Sequence, residues 1–136
     1  MTVLTMDVSL ASSVDEVWAV VGDFGGLDQW HPMVPNCRMD ADGVSRIITA
    51  PGVRVVEVLD PEASTEHCQV YTVEKSPMPI RDYRATLSIT ATEGGCVLTY
   101  SSQFMPNRVP ESVAVGMLRG FFVAGFAALK KRFGAL

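Results

Sequence analysis

Gly22-Asp23-Phe24-Gly25-Gly26-Leu27-Asp28-Gln29-Trp30-His31-Pro32 separates a short helical pattern from a long succession of strand-like runs. It carries large rings, glycines, a proline and one of the two histidines in the chain. Rings on a glycine-punctuated connection usually fold back over a core or close the mouth of a cavity. Upstream, Leu4, Met6, Val8 and Leu10 alternate with Thr5, Asp7 and Ser9, the pattern of a half-buried strand. Ser13-Val14-Asp15-Glu16 is a capping box. Val14, Val17, Trp18 and Val21 then follow helical spacing, with Gly22 as the stop. A short second helix is expected around Gly26 to Trp30.

Downstream, turn chemistry recurs at Asp42-Gly43, Pro51-Gly52, Asp60-Pro61, Pro77-Met78-Pro79 and Gly94-Gly95. Five turns between apolar runs predict six strands joined as successive hairpins, and seven with the first, mostly antiparallel. Pro110 to Phe133 reads as one helix of roughly 36 Å at 1.5 Å per residue. A membrane span is the rival reading of that stretch, but Arg119 and three glycines interrupt it, so a helix lying on the sheet is expected.

Two-residue turns fix register, so partners can be counted outward. With Pro51-Gly52 central, Ile48 opposes Val55 and Arg46 opposes Glu57. With Asp42-Gly43 central, Met39 opposes Arg46. The inward face then carries Cys37, Met39, Ile48, Val53, Val55 and Leu59 with Arg46 and Glu57. The outward face carries Ile47, Val56 and Val58 among polar residues. With Gly94-Gly95 central, Ile89 opposes Tyr100 and Ala85 opposes Phe104. Tyr83, Ala85, Leu87, Ile89, Leu98, Tyr100 and Phe104 share the inner face. The longer connection after Asp60 leaves the facing of Val70 and Tyr71 open.

An unpartnered charge inside is very costly, so Arg46 and Glu57 are expected to meet. Their presence on an apolar face suggests a polar patch in a cavity; a solvated cross-strand pair is the alternative. Gly116, Gly120 and Gly125 interrupt the last helix, where each costs up to ~1 kcal/mol relative to Ala. Close approach of a strand or room for a ligand are the two reasons considered.

A chain of 136 residues with 48% hydrophobic and 19% charged residues suits one globular domain, 1–136. The net charge of −4 argues against nucleic acid. Three cysteines without motif spacing, and no opening leader pattern, suit reduced thiols in a cytoplasm. No phosphate loop, nucleophile elbow or zinc spacing is present, and no metal or cofactor is expected.

The order strand, helix, short helix, six strands, long helix resembles the START, birch-pollen-allergen and polyketide cyclase superfamily (SRPBCC), within it the bacterial polyketide cyclase/dehydrase-like branch. The residues carrying the resemblance are 13–18, 24–32, Val55-Val56-Glu57-Val58-Leu59-Asp60, Pro79-Ile80-Arg81-Asp82-Tyr83 and 125–130. It implies an α+β helix-grip fold, a seven-stranded antiparallel sheet curved around a long C-terminal helix, with two short helices after strand 1. It also implies a cavity for hydrophobic ligands, lipids or polyketide intermediates.

Three functions are then in play. The first is binding of a small, largely apolar molecule, lined by Trp30, Val55, Tyr83, Leu87, Tyr100, Phe104, Met117, Phe121 and Gly125, with Arg46 and Glu57 orienting it. The second is a cyclase, dehydratase or isomerase in which His31 or Glu57 moves a proton and Tyr83, Tyr100 or Arg46 polarises an oxygen. An arginine beside a carboxylate favours the charged form and leaves a poor acid, and His31 before Pro32 is equally read as a loop histidine bonded to backbone. The third is a homodimer formed through Ile47, Val56 and Val58.

Overall fold

A computed structural model describes residues Met1–Leu136. Strand β1 (Thr2–Leu10) is followed by α1 (Val14–Val21) and a short 3-10 helix, η1 (Phe24–Gln29). Six strands come next: β2 (Asn36–Met39), β3 (Ser45–Ala50), β4 (Val53–Leu59), β5 (Cys68–Lys75), β6 (Ile80–Thr92) and β7 (Gly95–Pro106). Helix α2 (Glu111–Phe133) closes the chain. The sheet is antiparallel in the order β1-β7-β6-β5-β4-β3-β2, so each hairpin adds one strand and β1 returns beside β7. This is the helix-grip arrangement.

Local chemistry accounts for the boundaries. Ser13 caps α1, its Oγ accepting from the Glu16 N–H at 3.2 Å, while its hydroxyl donates to Glu16 Oε1 at 3.1 Å. Gly22 ends the helix with its N–H on Trp18 O. The second helix begins at Phe24, two residues before the expected Gly26. Pro110 occupies the N-cap of α2, and Lys130, Lys131 and Arg132 sit in its last turn, where cations favour the macrodipole.

The counted registers hold for the first two hairpins: Met39 opposes Arg46, Arg46 opposes Glu57 and Ile48 opposes Val55. The last hairpin turns one residue earlier than counted. Its central pair is Glu93-Gly94, with Gly94 at φ 82°, and Thr92 opposes Gly95. Leu87 therefore opposes Tyr100 and Ala85 opposes Ser102. The correction moves partners by two residues, which leaves every side chain on its own face. Position 95 requires glycine, because a Cβ there would stand 1.9 Å from the Leu10 carbonyl oxygen.

The main core lies between the inner face of the sheet and α2. Leu4, Val8 and Leu10 of β1, Ala85, Leu87 and Ile89 of β6, and Leu98 and Phe104 of β7 pack there against Ala114, Leu118, Phe122, Phe126 and Leu129. By length and composition α2 could cross a membrane, yet here this face is packed against the sheet. The outward trio differs from expectation. Ile47 is 3% exposed, because β3 is an interior strand that sets Arg38 and Val56 on either side of it, and long arginine stems cover apolar neighbours. Val56 and Val58 are half-buried, so the three do not form an open apolar patch.

Candidate functional site

The Pro51-Gly52 turn, with Gly52 at φ 73°, sets Arg46 against Glu57 on the inner face. Arg46 is 5% exposed. Its Nε and Nη2 both lie 2.7 Å from Glu57 Oε1, and its Nη1 donates to Phe24 O at 3.1 Å. The guanidinium also sits 4.1 Å from the Phe24 ring centroid and 4.8 Å from that of Tyr71. A planar cation held by rings, a carboxylate and a carbonyl is a fixed part of the wall. Both contacts to Glu57 fall on Oε1, and no hydrogen bond from the protein reaches Oε2.

Beside the pair, three phenols meet. Tyr100 Oη bonds Tyr71 Oη at 2.6 Å and also Tyr83 Oη. Burial pushes all three above the ordinary tyrosine value, so they stay neutral. Gln69, next but one to Tyr71 on β5, donates from Nε2 to Gly22 O at 3.0 Å and ties the end of α1 to the sheet.

The connection folds back over these groups. His31 is 2% exposed. Its Nδ1 accepts from the Met33 N–H at 3.1 Å and its Nε2 reaches Phe121 O at 2.9 Å. Those partners define the tautomer: Nε2 carries the proton and donates to the helix carbonyl. The ring stacks on Phe121 with centroids 3.9 Å apart. Burial lowers the His31 pKa to about 4, and the bond to Phe121 only partly opposes this. Gly125 makes the approach possible, since a Cβ there would stand 2.8 Å from His31 Cδ2 and 3.2 Å from Trp30 Cζ3. The Trp30 Nε1 is buried without a hydrogen-bond partner.

Two adjoining spaces lie under α2. A recess of about 40 Å³ is walled by Trp30, His31, Arg46, Glu57, Gln69, Leu87, Gly125 and Phe126 among others. A larger apolar cavity of about 210 Å³ is walled by Ile48, Val55, Val73, Ile80, Tyr83 and Leu118 among others. Glu57, Tyr71, Tyr100, Phe121 and Phe122 belong to both walls.

Of the residues named from sequence, Trp30, His31, Arg46, Glu57, Leu87, Tyr100, Phe121 and Gly125 border the recess, and Val55 and Tyr83 the larger cavity. Two stand elsewhere. Phe104 is fully buried in the core, stacked beside Tyr83 with centroids 6.3 Å apart. Met117 is 46% exposed, because the buried stripe of α2 runs through Ala114, Leu118, Phe122 and Phe126 and turns Met117 away. Gln69 and Leu118 are not among the residues named from sequence, Phe122 reads there as core, and the facing of Tyr71 stays open; all four line the two spaces. The connection from Leu59 to Cys68 is too long for a turn to fix the register of β4 against β5, so counting could not reach Tyr71, although Tyr71 opposes Leu59. Helical spacing from Phe126 would have found Phe122 and Leu118.

Residues 1–134 match the family described as polyketide cyclase / dehydrase and lipid transport. The chain belongs to that family. Solved structures with the same fold include XoxI of Bacillus cereus, 26% identical, with a TM-score of 0.90 over 98% of this chain and 96% of that one. An uncharacterised Bacillus thuringiensis protein is 25% identical, with a TM-score of 0.89 over 97% and 98%. A START superfamily protein of Mycobacterium smegmatis, 15% identical, shares the fold with a TM-score of 0.78 over 96% of both chains. None of the curated proteins matches the chain. A shared fold does not by itself fix what a member of the family binds or catalyses.

Proposed function

We propose that this family member binds a small, largely apolar molecule between the sheet and α2. The observation that carries the reading is the cavity of about 210 Å³ with an apolar lining that meets a buried ion pair and three neutral phenols at one end. Few polar groups at the end of an apolar cleft is the usual plan of a small-molecule site. An engineered apolar cavity of ~150 Å³ accepts benzene, so the space suits a molecule of one or two rings or a short chain.

The proton-transfer alternative loses His31, because both of its ring nitrogens are committed to backbone groups. It keeps only Glu57, so binding is the better reading. The dimer alternative loses Ile47 to burial. Native mass spectrometry of the purified protein, followed by a thermal-shift panel of apolar aromatics and lipids, tests the proposal. At a ligand concentration of about a hundred times Kd, stabilisation of roughly 2.7 kcal/mol is expected. Val55→Phe, which fills the larger cavity, should abolish the shift while the free protein stays folded. A panel in which nothing stabilises the native protein, with no co-purifying mass, would end the proposal.

A further inference from the structure

Helix α2 is apolar on more than the face it buries. Arg119 is the one charged residue between Glu111 and Lys130. The buried stripe runs through Ala114, Leu118, Phe122, Phe126 and Leu129. The opposite face carries Val113, Gly116, Met117, Gly120, Val123, Ala124 and Ala127. Nothing in the chain covers it: Val123 is 52% exposed, and Val113 and Met117 nearly as much. A helix that is hydrophobic all round is normally buried all round, and an apolar face left open marks a place of contact.

The outward residues fall into rows spaced at the heptad interval, the seam spacing of paired helices. Val113, Gly120 and Ala127 form the middle row, Gly116 and Val123 one flank, and Met117 and Ala124 the other. Each row holds a large residue and a small one. At Gly116 and Gly120 open space stands where a Cβ would go, so a neighbouring backbone can come close. Two copies of α2 packed antiparallel about a two-fold axis at Gly120 bring every row against itself reversed. Val123 then meets Gly116 of the second copy, Met117 meets Ala124 and Val113 meets Ala127, large on small each time. The Glu111 end of each helix lies beside the Lys130–Lys131 end of the other, and the macrodipoles oppose. Parallel packing would set large on large, leave gaps between the glycines and put like charges together. Arg119 lies about a hundred degrees round the helix from Gly120, at the margin of this face, and is exposed.

We infer that the outward face of α2 is the contact surface for a second copy of this chain, in an antiparallel two-fold dimer that crosses at Gly120. This surface is separate from the outer sheet face at Ile47, Val56 and Val58, and the inference does not depend on the cavity reading. An isologous dimer needs a patch that complements itself, and these rows do so. A lipid surface is the other occupant that suits an apolar helix face, but interfacial helices carry Lys and Arg along their polar flanks. Here Arg119 stands alone between the helix ends, and the chain has a net charge of −4.

Sedimentation velocity from low to high micromolar concentration tests it. The native chain should pass from monomer to dimer. Val123→Glu, a change at an exposed position, should remain a monomer with an unaltered circular dichroism spectrum. Gly116→Val sets a second large residue against Val123 and should raise the dimer Kd about tenfold. Adding Val123→Ala exchanges large for small and should return the Kd to within about threefold of the native value. Under mild oxidation Gly120→Cys should cross-link the two copies beyond the native background, because the axis brings those backbones together. Val113→Cys should not, since its counterpart lies at the far end of the helix. Cross-linking through Val113→Cys would overturn the antiparallel arrangement. A native chain that stays monomeric throughout would overturn the inference, and its capture by phosphatidylglycerol vesicles would then assign the face to lipid. A dimer that Val123→Glu leaves intact would place the interface elsewhere and overturn it as well.

Discussion

His31 joins the Gly22–Pro32 connection to the backbone of α2, and it does so only as the neutral imidazole. Its folded pKa of about 4 lies below the ordinary 6.5. The unfolded chain therefore takes up the proton first as pH falls. Stability from this group is whole above about pH 6.5 and is lost progressively down to about pH 4. Between pH 7 and pH 4.5 the wild type should lose roughly 2–3 kcal/mol more than His31→Gln, measured by urea unfolding. Parallel pH profiles for the two proteins would refute that role. Arg46 and Glu57 obey a different rule. Removing one charge leaves the other buried and alone, so Glu57→Leu should cost about 3–5 kcal/mol. Arg46→Met combined with Glu57→Leu should cost much less than that single change, because no orphan charge remains. A double variant as unstable as the sum of its parts would argue that the pair stabilises the fold outright.

At the scale of elements, the glycines of α2 divide by what they face. Gly116 and Gly120 lie exposed with open space where a Cβ would go, so neither strand contact nor ligand room explains them; they belong to the outward face that would meet a second copy. Gly125 faces His31 and Trp30 of the connection rather than a strand. Thermal melts of the dilute, monomeric protein should separate them. Gly116→Ala and Gly120→Ala should each stabilise by about 0.5–1 kcal/mol through helix propensity. Gly125→Ala should destabilise by about 1–3 kcal/mol, since the added methyl overlaps an imidazole held at both nitrogens. A stabilised Gly125→Ala would show that the connection can lift from the helix without cost. The hairpins show why their faces were readable before their partners were. A one-residue difference in the last turn moved every partner by two positions and no side chain to the other face, because the strand period is two.

At the scale of the molecule, β3 to β7, the Trp30–Pro35 segment and α2 border a space that the core does not fill. Core packing is normally dense, with few voids larger than a water, so a cavity of about 210 Å³ forgoes contacts that an occupant can restore. The restored contacts would appear only in the native state, which is why an occupant raises stability by mass action. The succession of hairpins and the Arg46–Glu57 pairing follow from turn chemistry and alternation, which are local signals; the grip of the helix was implied by the family resemblance, and the return of β1 beside β7 is a long-range pairing. The candidate site was legible to the same extent. Trp30, Tyr83 and Tyr100 were nameable from pattern, whereas Met117 was misplaced by the phase of α2, and the facing of Tyr71 was left open by the long connection between β4 and β5, which fixes no register.

By itself the sequence determined the succession of elements, the facing of most strands and the meeting of opposite charges at positions 46 and 57. Those depend on intervals of a few residues, where steric and hydrogen-bonding preferences act directly. Only the tertiary structure decided that His31 is a neutral latch, that Gly125 leaves room for it, and that Trp30 Nε1 is buried without a partner. Those facts join residues about ninety positions apart or on separate elements, and their energies depend on what else has been excluded from the same small volume.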